Sequence, residues 1–479
     1  MEAAFHALRR GENGSDMTSR QRAGWTRQKE YGLTPELLAV SHVWGRDGDG
    51  DQVVASKGAP EAIAALCGMD LAQRQAMDAA VTAMAERGLR VLAVAEARWH
   101  GRDLPASPHG FDLAYRGLVG LADPIREGVP EAVGELQRAG IRVVMITGDY
   151  PATARAIAGE AGIAAGEVLA GSDLRALDDS ALAAKAGHAS VFARVMPEDK
   201  LRIVSALRSA GETVAMIGDG VNDAPSLKAA DIGVAMGKRG TDVAREAAAI
   251  VLLDDDFAAI PKAVSLGRRI YDNIRKATAF IVAVHIPIAG MALAPLVLGW
   301  PVLLGPVHIA LLEMIIDPVC SLAFEAEPGE ADVMIRPPRD PNAALFPRPM
   351  LMWAVFQGLA ALGLLLLAVA WLVLHNHMPA ADLRSAAFAA LVASVVVLVE
   401  INRSLSPARL RSGRNIPLIV IIVLVGAILV ALFEIEPLAQ LLGLSVLRWP
   451  ALGLAAVAPA VLAVGLRLLK PRFARSLTG

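Results

Sequence analysis

The chain has 479 residues, 54% of them hydrophobic and 20% charged, with a formal net charge of -2 and a mean hydropathy of +0.46. It is too long for one domain and too apolar for an ordinary soluble protein, so a membrane portion is the first expectation. Without a basic excess, binding to a nucleic-acid backbone is disfavoured, and small ions and anions are the expected partners.

Residues 1–120 read as a mixed region, with a Gly/Asp-rich loop at Gly45–Asp51 that suits a hairpin tip or surface insertion. No charged segment followed by an apolar stretch opens the chain, which predicts a cytosolic amino terminus. Cys67 and Cys320 are far apart, without a CxxC or a His cluster, so neither a disulfide framework nor a zinc site is expected. Between 121 and 260, short β-branched or apolar runs occur at Ile141–Ile146, Ser190–Ala193, Thr213–Ile217, Ile232–Ala235 and Ala249–Leu253. Helical patterns separate several of them, as in a parallel α/β sheet.

The stretch Pro261–Ala279 predicts a helix, a stalk over 261–276 that runs into the first hydrophobic span. Six spans are expected over 277–479, near 277–299, 302–324, 349–374, 385–402, 416–434 and 449–469. Each approaches the ~20 residues that cross a bilayer core. Arg336, Arg339 and Arg348 follow the second span, Arg403, Arg409, Arg411 and Arg414 the fourth, and Lys470, Arg472 and Arg475 the sixth. This asymmetry predicts an integral, multi-pass protein of the plasma (inner) membrane with both termini cytoplasmic.

Three expected strand ends carry polar clusters: Thr147-Gly148-Asp149, Lys200, and Gly218-Asp219-Gly220-Val221-Asn222-Asp223. Ligands of open parallel sheets bind at the carboxyl ends of strands, so these clusters can converge on one site. Thr147 and the Gly148 amide suit phosphate oxygens, Lys200 suits developing negative charge, and Asp219 suits Mg²⁺. Asn222 and Asp223 fall at the start of the next helix.

The run MIGDGVNDAPSLKAADIGVAMG (216–237), with ITGD (146–149), DPIR (123–126) and KGAPE (57–61), resembles the P-type cation-transporting ATPases, nearest their type II calcium, sodium and proton pumps. The resemblance implies an α/β cytoplasmic part followed by an α-helical transmembrane bundle of six helices. The cytoplasmic part would combine a partial α+β nucleotide-binding domain (1–120) with a haloacid-dehalogenase-like, Rossmannoid phosphorylation domain (121–260). It implies ATP and Mg²⁺ as cofactors and a transported cation as partner. Lys57, Gly58 and Arg90 would line the ATP pocket, with Tyr31 stacking on adenine and Glu2 meeting its amino group. Asp123 and Arg126 would meet nucleotide phosphates, and Thr147, Gly148, Asp149, Lys200, Asp219, Asn222 and Asp223 would form the phosphorylation site.

In that family the nucleophile is the aspartate of a DKTGT motif ending the first strand of the phosphorylation domain, and no DKTG occurs here. The actuator domain and the first four transmembrane helices are also unmatched. The expectation is a partial pump, inactive alone. A nucleotide-binding membrane protein without catalysis and the carboxy-terminal half of a split pump, completed in trans by the missing amino-terminal half, remain alternatives.

Ionisable residues inside spans are costly and usually face an ion path. Those to explain are His285, His308, Glu313, Asp317 and Glu400. Glu313 and Asp317 share a helix face, and Pro318 and Pro287 can free nearby carbonyls. By the resemblance, Asp317 is retained at a cation-ligating position, Glu313 replaces an Asn, and Ile288 and His285 stand where calcium pumps use polar ligands. The expected cargo is therefore a single cation or a proton, held by Glu313, Asp317 and His285.

Overall fold

The computed structural model describes residues 25–34, 37–46, 51–101, 103–122, 124–164, 166–376, 378–404, 415–446 and 449–477. The expected roles of Glu2 and Asp123, and the charges at Arg409, Arg411 and Arg414, lie outside the described residues. The chain divides into two compact units, one drawn from 1–137 and 141–259, the other from 138–140 and 260–479.

The first unit opens with strands β1 (Trp25–Tyr31), β2 (Ala39–Arg46) and β3 (Gln52–Gly58), then helices α1 (Pro60–Leu66) and α2 (Leu71–Ala85), then β4 (Arg90–Trp99) and β5 (Ala114–Leu121). The five strands form one antiparallel sheet in sequence order. Strand β2 alternates strictly, burying Ala39, Ser41 and Val43 on one face. Ser41 and Ser56 face each other in register and satisfy each other's hydroxyls at 2.7 Å inside that layer. Helix α2 starts at a capping box, with the Gln73 amide donating to Asp70 at 2.8 Å and the Asp70 amide to Gln73 at 3.0 Å.

The chain continues through α3 (Val129–Arg138), β6 (Met145–Ile146), α4 (Pro151–Glu160), β7 (Glu167–Ala170), α5 (Gly171–Ala176), α6 (Asp179–Ala186), β8 (Ala189–Ala193) and α7 (Pro197–Ser209). Then come β9 (Ala215–Gly218), α8 (Ala224–Ala229), β10 (Ile232–Met236), α9 (Asp242–Ala247) and β11 (Ile250–Leu252). All these strands pair in parallel, but as two three-stranded sheets, β6-β8-β7 and β11-β10-β9. The run expected to be extended over Ile141–Ile146 keeps only Met145–Ile146 as strand. A ladder exists on one of its sides only, and strand structure survives only where backbone groups find partners.

The second unit is helical: α10 (Ala259–Leu298), α11 (Pro306–Pro318), α12 (Arg348–Asn376), α13 (Ala380–Asn402), α14 (Ile416–Glu434), the short α15 (Glu436–Leu441) and α16 (Trp449–Leu477). Among the described residues five helices are long and apolar enough to cross a membrane, one each in the regions of the first five expected spans. The sixth expected span lies within α16 and is not among those five. The second span starts later than expected, at Pro306, where the Gly305 amide donates to His308 Nδ1 at 3.0 Å. Past Pro318, which lacks a backbone donor, the coil widens into a π-helical turn over Val319–Ala323.

One end of this bundle is tied by buried charges. Lys276 on α10 is fully buried 2.8 Å from Glu330, whose other oxygen accepts from Ser404 at 3.1 Å. Lys470 of α16 donates to the carbonyls of Ile401 and Ser404 at 2.7 and 2.8 Å, capping the end of α13. Glu327, also fully buried, accepts from Arg403 at 3.2 Å and from Asn415 at 2.6 Å. Asn415 in turn accepts the Leu418 amide at 3.0 Å and so starts α14. The segment after α11 thereby fastens α10, α13 and α14, and Lys470 ties α16 to the end of α13.

Candidate functional site

Two of the expected polar clusters occupy strand ends because the chain turns there, whereas Lys200 stands in the first turn of α7 and not at a strand end. Strand β6 ends at Ile146, and Thr147 folds over Asp149: its hydroxyl accepts the Asp149 amide and donates to the Asp149 carboxylate, both at 3.1 Å. That turn leaves Gly148 exposed. Strand β9 ends at Gly218, and the following turn closes on the buried Asp223. One Asp223 oxygen accepts the amides of Asp219 and Gly220 at 3.3 and 3.1 Å, and the other lies 2.6 Å from Lys200 Nζ. A Cβ at Gly218 would stand 2.6 Å from the Asp223 Cβ, so this turn requires glycine.

Asp223 therefore organises the loop and fixes Lys200, while Asp219 and Asn222 remain exposed. No group of three or more His, Cys, Asp or Glu residues suited to a metal occurs among the described residues. Mg²⁺ nevertheless fits: it is commonly held by one or two carboxylates completed by water and phosphate oxygens, and Asp219 presents one exposed carboxylate. The hard oxygen donor suits that ion better than a soft metal.

A cavity of about 460 Å³ in the same unit is lined by Lys57, Gly58, Arg90, Gly148, Asp149 and Arg194, among others. Arg90 stands 3.1 Å from the Asp149 carboxylate, so a guanidinium of the antiparallel sheet reaches the turn after β6. Arg194, at the end of β8, adopts φ 52°, lies over the Tyr150 ring at 5.7 Å and meets Glu61 at 2.7 Å. A non-glycine residue in that left-handed region carries strain, which is common at ligand sites.

Two expected nucleotide contacts stand elsewhere. Tyr31 is buried in the core of the antiparallel sheet, edge-on to Phe111 at 5.7 Å, and its hydroxyl donates to the Pro105 carbonyl at 2.6 Å. A ring so enclosed has no free face for a base, and the apolar wall of the cavity comes from Leu33, Leu38 and Val40. Arg126 does not line the cavity and donates to the Asp255 carbonyl at 3.0 Å. Sequence reading also missed Arg194. A positive φ in a non-glycine residue leaves no sequence trace.

In the helical unit, His285 Nε2 lies 3.7 Å from Glu313 Oε1, joining α10 to α11, and His285 Nδ1 lies 2.8 Å from the Ile281 carbonyl. Asp317 is exposed on α11, one turn beyond Glu313. His308 is buried against Phe388 with ring centroids 5.6 Å apart. Glu400 pairs with Arg403 at 3.2 Å and belongs to the charge network at the bundle end.

Comparison with known proteins agrees with this geometry. Residues 301–471 match the family model "Cation transporting ATPase, C-terminus", and 29–231 and 201–264 match models of haloacid dehalogenase-like hydrolases. A "Calcium-transporting ATPase 1" of Bacillus cereus is 45% identical over 269 residues, 56% of this chain and 30% of that protein. A "Probable cation-transporting ATPase F" of Mycobacterium tuberculosis is 41% identical over 383 residues, 76% of this chain and 41% of the relative. A "Calcium-transporting ATPase" of Bacillus subtilis is 38% identical over 327 residues, 67% and 36% of the two chains. The chain thus spans between 30% and 41% of the length of these curated relatives. Hydrolase-type polar strand ends, a series of apolar helices and these matches together place the chain in the P-type cation-transporting ATPase family.

Proposed function

We propose that this chain supplies the nucleotide pocket, most of the phosphoryl-transfer site and part of the ion path of a pump coupling ATP hydrolysis to cation transport. The observation that carries the reading is the fixed pair Lys200–Asp223 beside the exposed Asp219, at the end of a parallel strand. Lys57 and Arg90 line the neighbouring cavity. Lys57 and Arg90 would bind nucleotide phosphates, Thr147 and the Gly148 amide would hold the transferred phosphoryl group, and Lys200 would neutralise its charge. Mg²⁺, held at Asp219, would screen the phosphate oxygens.

The sequence contains no DKTGT, so the accepting aspartate comes from outside these 479 residues, and the chain by itself performs no turnover. In the membrane, Glu313, Asp317 and His285 would hold a single cation or a proton, and the arginine and lysine distribution supports cytoplasmic termini. The test is incubation of the chain in detergent with radiolabelled ATP. No hydroxylamine-sensitive phosphoenzyme should form, ATP should still bind, and Lys57→Ala or Arg90→Ala should weaken binding. A labelled aspartate within residues 1–479 would refute the assignment of the nucleophile; unchanged affinity in both variants would refute that of the pocket.

A further inference from the structure

The connection between α11 and α12 is polarised in charge. Its acidic residues Glu325, Glu327, Glu330 and Asp332 come first, and Arg336, Arg339 and Arg348 follow. Two of those acids are already engaged inside the bundle, since Glu327 and Glu330 are buried against Arg403 and Lys276. The basic half meets α10 where that helix itself carries Arg268 and Arg275. Four guanidinium groups, of Arg268, Arg275, Arg336 and Arg339, therefore gather around the buried carboxylate of Asp272, which accepts from Arg336 at 2.7 Å. Asp332 and Asp340 are exposed, and Asp340 accepts the Asn342 amide at 2.8 Å.

Tyr271 stands at the centre of this group. Arg339 donates to its hydroxyl at 3.1 Å, and the Arg339 and Arg275 guanidinium centres lie 4.8 and 5.8 Å from the centroid of its ring. Attraction between cation and ring holds both side chains near the phenol. Arg268 donates to the carbonyls of Val333 and Arg336, both at 2.8 Å, and so keeps the connection against α10. The like charges act on one another: Arg336 on Arg268, and Arg336 and Arg339 on Arg275. Such repulsion costs free energy, which an anion placed among the cations recovers.

The position of the group identifies the anion's surroundings. Between 277 and 298 α10 has no Asp, Glu, Lys or Arg, and α12 has none between 349 and 376. The cations thus stand where both helices pass from charged to apolar sequence. Ile274, Ile335 and Leu345 beside them are 45%, 71% and 40% exposed. Exposed apolar side chains interleaved with arginines at the end of a hydrophobic span suit the interfacial layer of a bilayer, where anionic headgroups lie above acyl chains.

We propose that Tyr271, Arg275, Arg336 and Arg339 form a seat for the phosphate group of one anionic phospholipid, whose acyl chains lie beside Ile274 and Ile335. The planar fork of an arginine matches two phosphate oxygens at once. The Tyr271 hydroxyl accepts from Arg339, so its own hydrogen is a donor for a third. Headgroup charge follows from the same balance. A phospholipid with its own ammonium, such as phosphatidylcholine, would bring one more cation into the group, whereas phosphatidylglycerol brings only the negative phosphate. A lipid is favoured over free phosphate because only a lipid also covers the exposed apolar side chains.

The probe is an equimolar mixture of phosphatidylglycerol and phosphatidylcholine with the same acyl chains, added to the full chain in a neutral detergent. Native mass spectrometry counts the lipids retained. Phosphatidylglycerol should be retained over phosphatidylcholine by about fivefold or more, and Arg339→Gln should reduce that preference about fivefold, the effect of one arginine at a charged membrane surface. Tyr271→Phe, which keeps the ring and removes the hydroxyl, should lower it as well. Arg472→Gln removes an exposed charge near the end of α16 and should leave the preference unchanged. Inorganic phosphate at the same concentration should not displace the lipid. Circular dichroism checks that each variant keeps its helices, and Tyr271→Phe decides the matter if Arg339→Gln loses them. Equal retention of the two lipids, full preference in a folded Arg339→Gln or in Tyr271→Phe, an equal loss in Arg472→Gln, or displacement by phosphate overturns the seat.

Discussion

Replacing Lys276 by methionine removes the positive half of an ion pair enclosed at the end of the helical unit. The residue is 0% exposed, its Nζ lies 2.8 Å from Glu330 Oε1, and Glu330 is only 7% exposed. Nζ makes no well-directed hydrogen bond, so the contact is held by charge rather than by alignment. Methionine fills nearly the same volume, and the loss is therefore electrostatic. Deleting one member of a buried pair costs up to about 3–5 kcal/mol, because the charge that stays out of water loses part of its compensation. Here Ser404 still donates to Glu330 at 3.1 Å, which puts the expected cost near the lower end, about 3 kcal/mol, or roughly a hundredfold in the folding equilibrium. Replacing both residues, as Lys276→Met with Glu330→Leu, removes the remaining buried carboxylate as well and should recover most of that loss. The assay is unfolding of the detergent-solubilised chain, followed by far-ultraviolet circular dichroism during titration with a denaturing detergent. A single variant within about 1 kcal/mol of the parent, or a double variant less stable than the single one, would refute the reasoning.

Gly218→Ala should destabilise the first unit by about 1–3 kcal/mol and weaken Mg²⁺-dependent phosphate binding, because the new methyl group would press on the buried Asp223; thermal unfolding with and without phosphate measures both effects. Burial of Asp255 tends to raise its pKa, but the donated amides of Lys238, Arg239 and Gly237 outweigh it and hold the carboxyl below the usual carboxylate range. A depressed folded-state pKa contributes stability above the unfolded value of about 3.9, and that stability is lost as pH falls through the folded value. Asp255→Asn should accordingly flatten the acid limb of the unfolding profile below about pH 4 and cost stability at pH 7; an unchanged acid limb would show that these amide contacts do not matter. When residues 1–479 are joined to a matching amino-terminal half, Asp317→Asn and Glu313→Gln should abolish or shift cation-dependent ATPase activity. Glu400→Gln, which alters a pair with Arg403, should change it less. Unchanged cation dependence in both of the first two variants would leave these carboxylates as packing residues.

Much of the architecture was legible because its causes are local. Long apolar runs announced the helices now seen as α10 to α14, and TGD and GDGVND marked the ends of β6 and β9, the glycine at 218 being required because a Cβ there would press on Asp223. Proline 318 likewise signalled a disturbed helix, and a π-helical turn follows it. Contacts between distant segments left no such mark. Tyr31 is enclosed because Phe111 and Pro105, some 80 and 74 positions away, close over it. Lys276 is neutralised by a residue in another connection, and Arg90 finds Asp149 only once two different sheets are side by side. The division of the parallel strands into two sheets is of the same kind: five of the six strands were readable from their own β-branched or apolar runs, β7 being missed, but whether a strand has a neighbour on one side or both depends on which segments of chain meet in space. Periodicity and turn chemistry are properties of a few consecutive residues, whereas burial, charge pairing and strand neighbours exist only after the chain has folded back on itself.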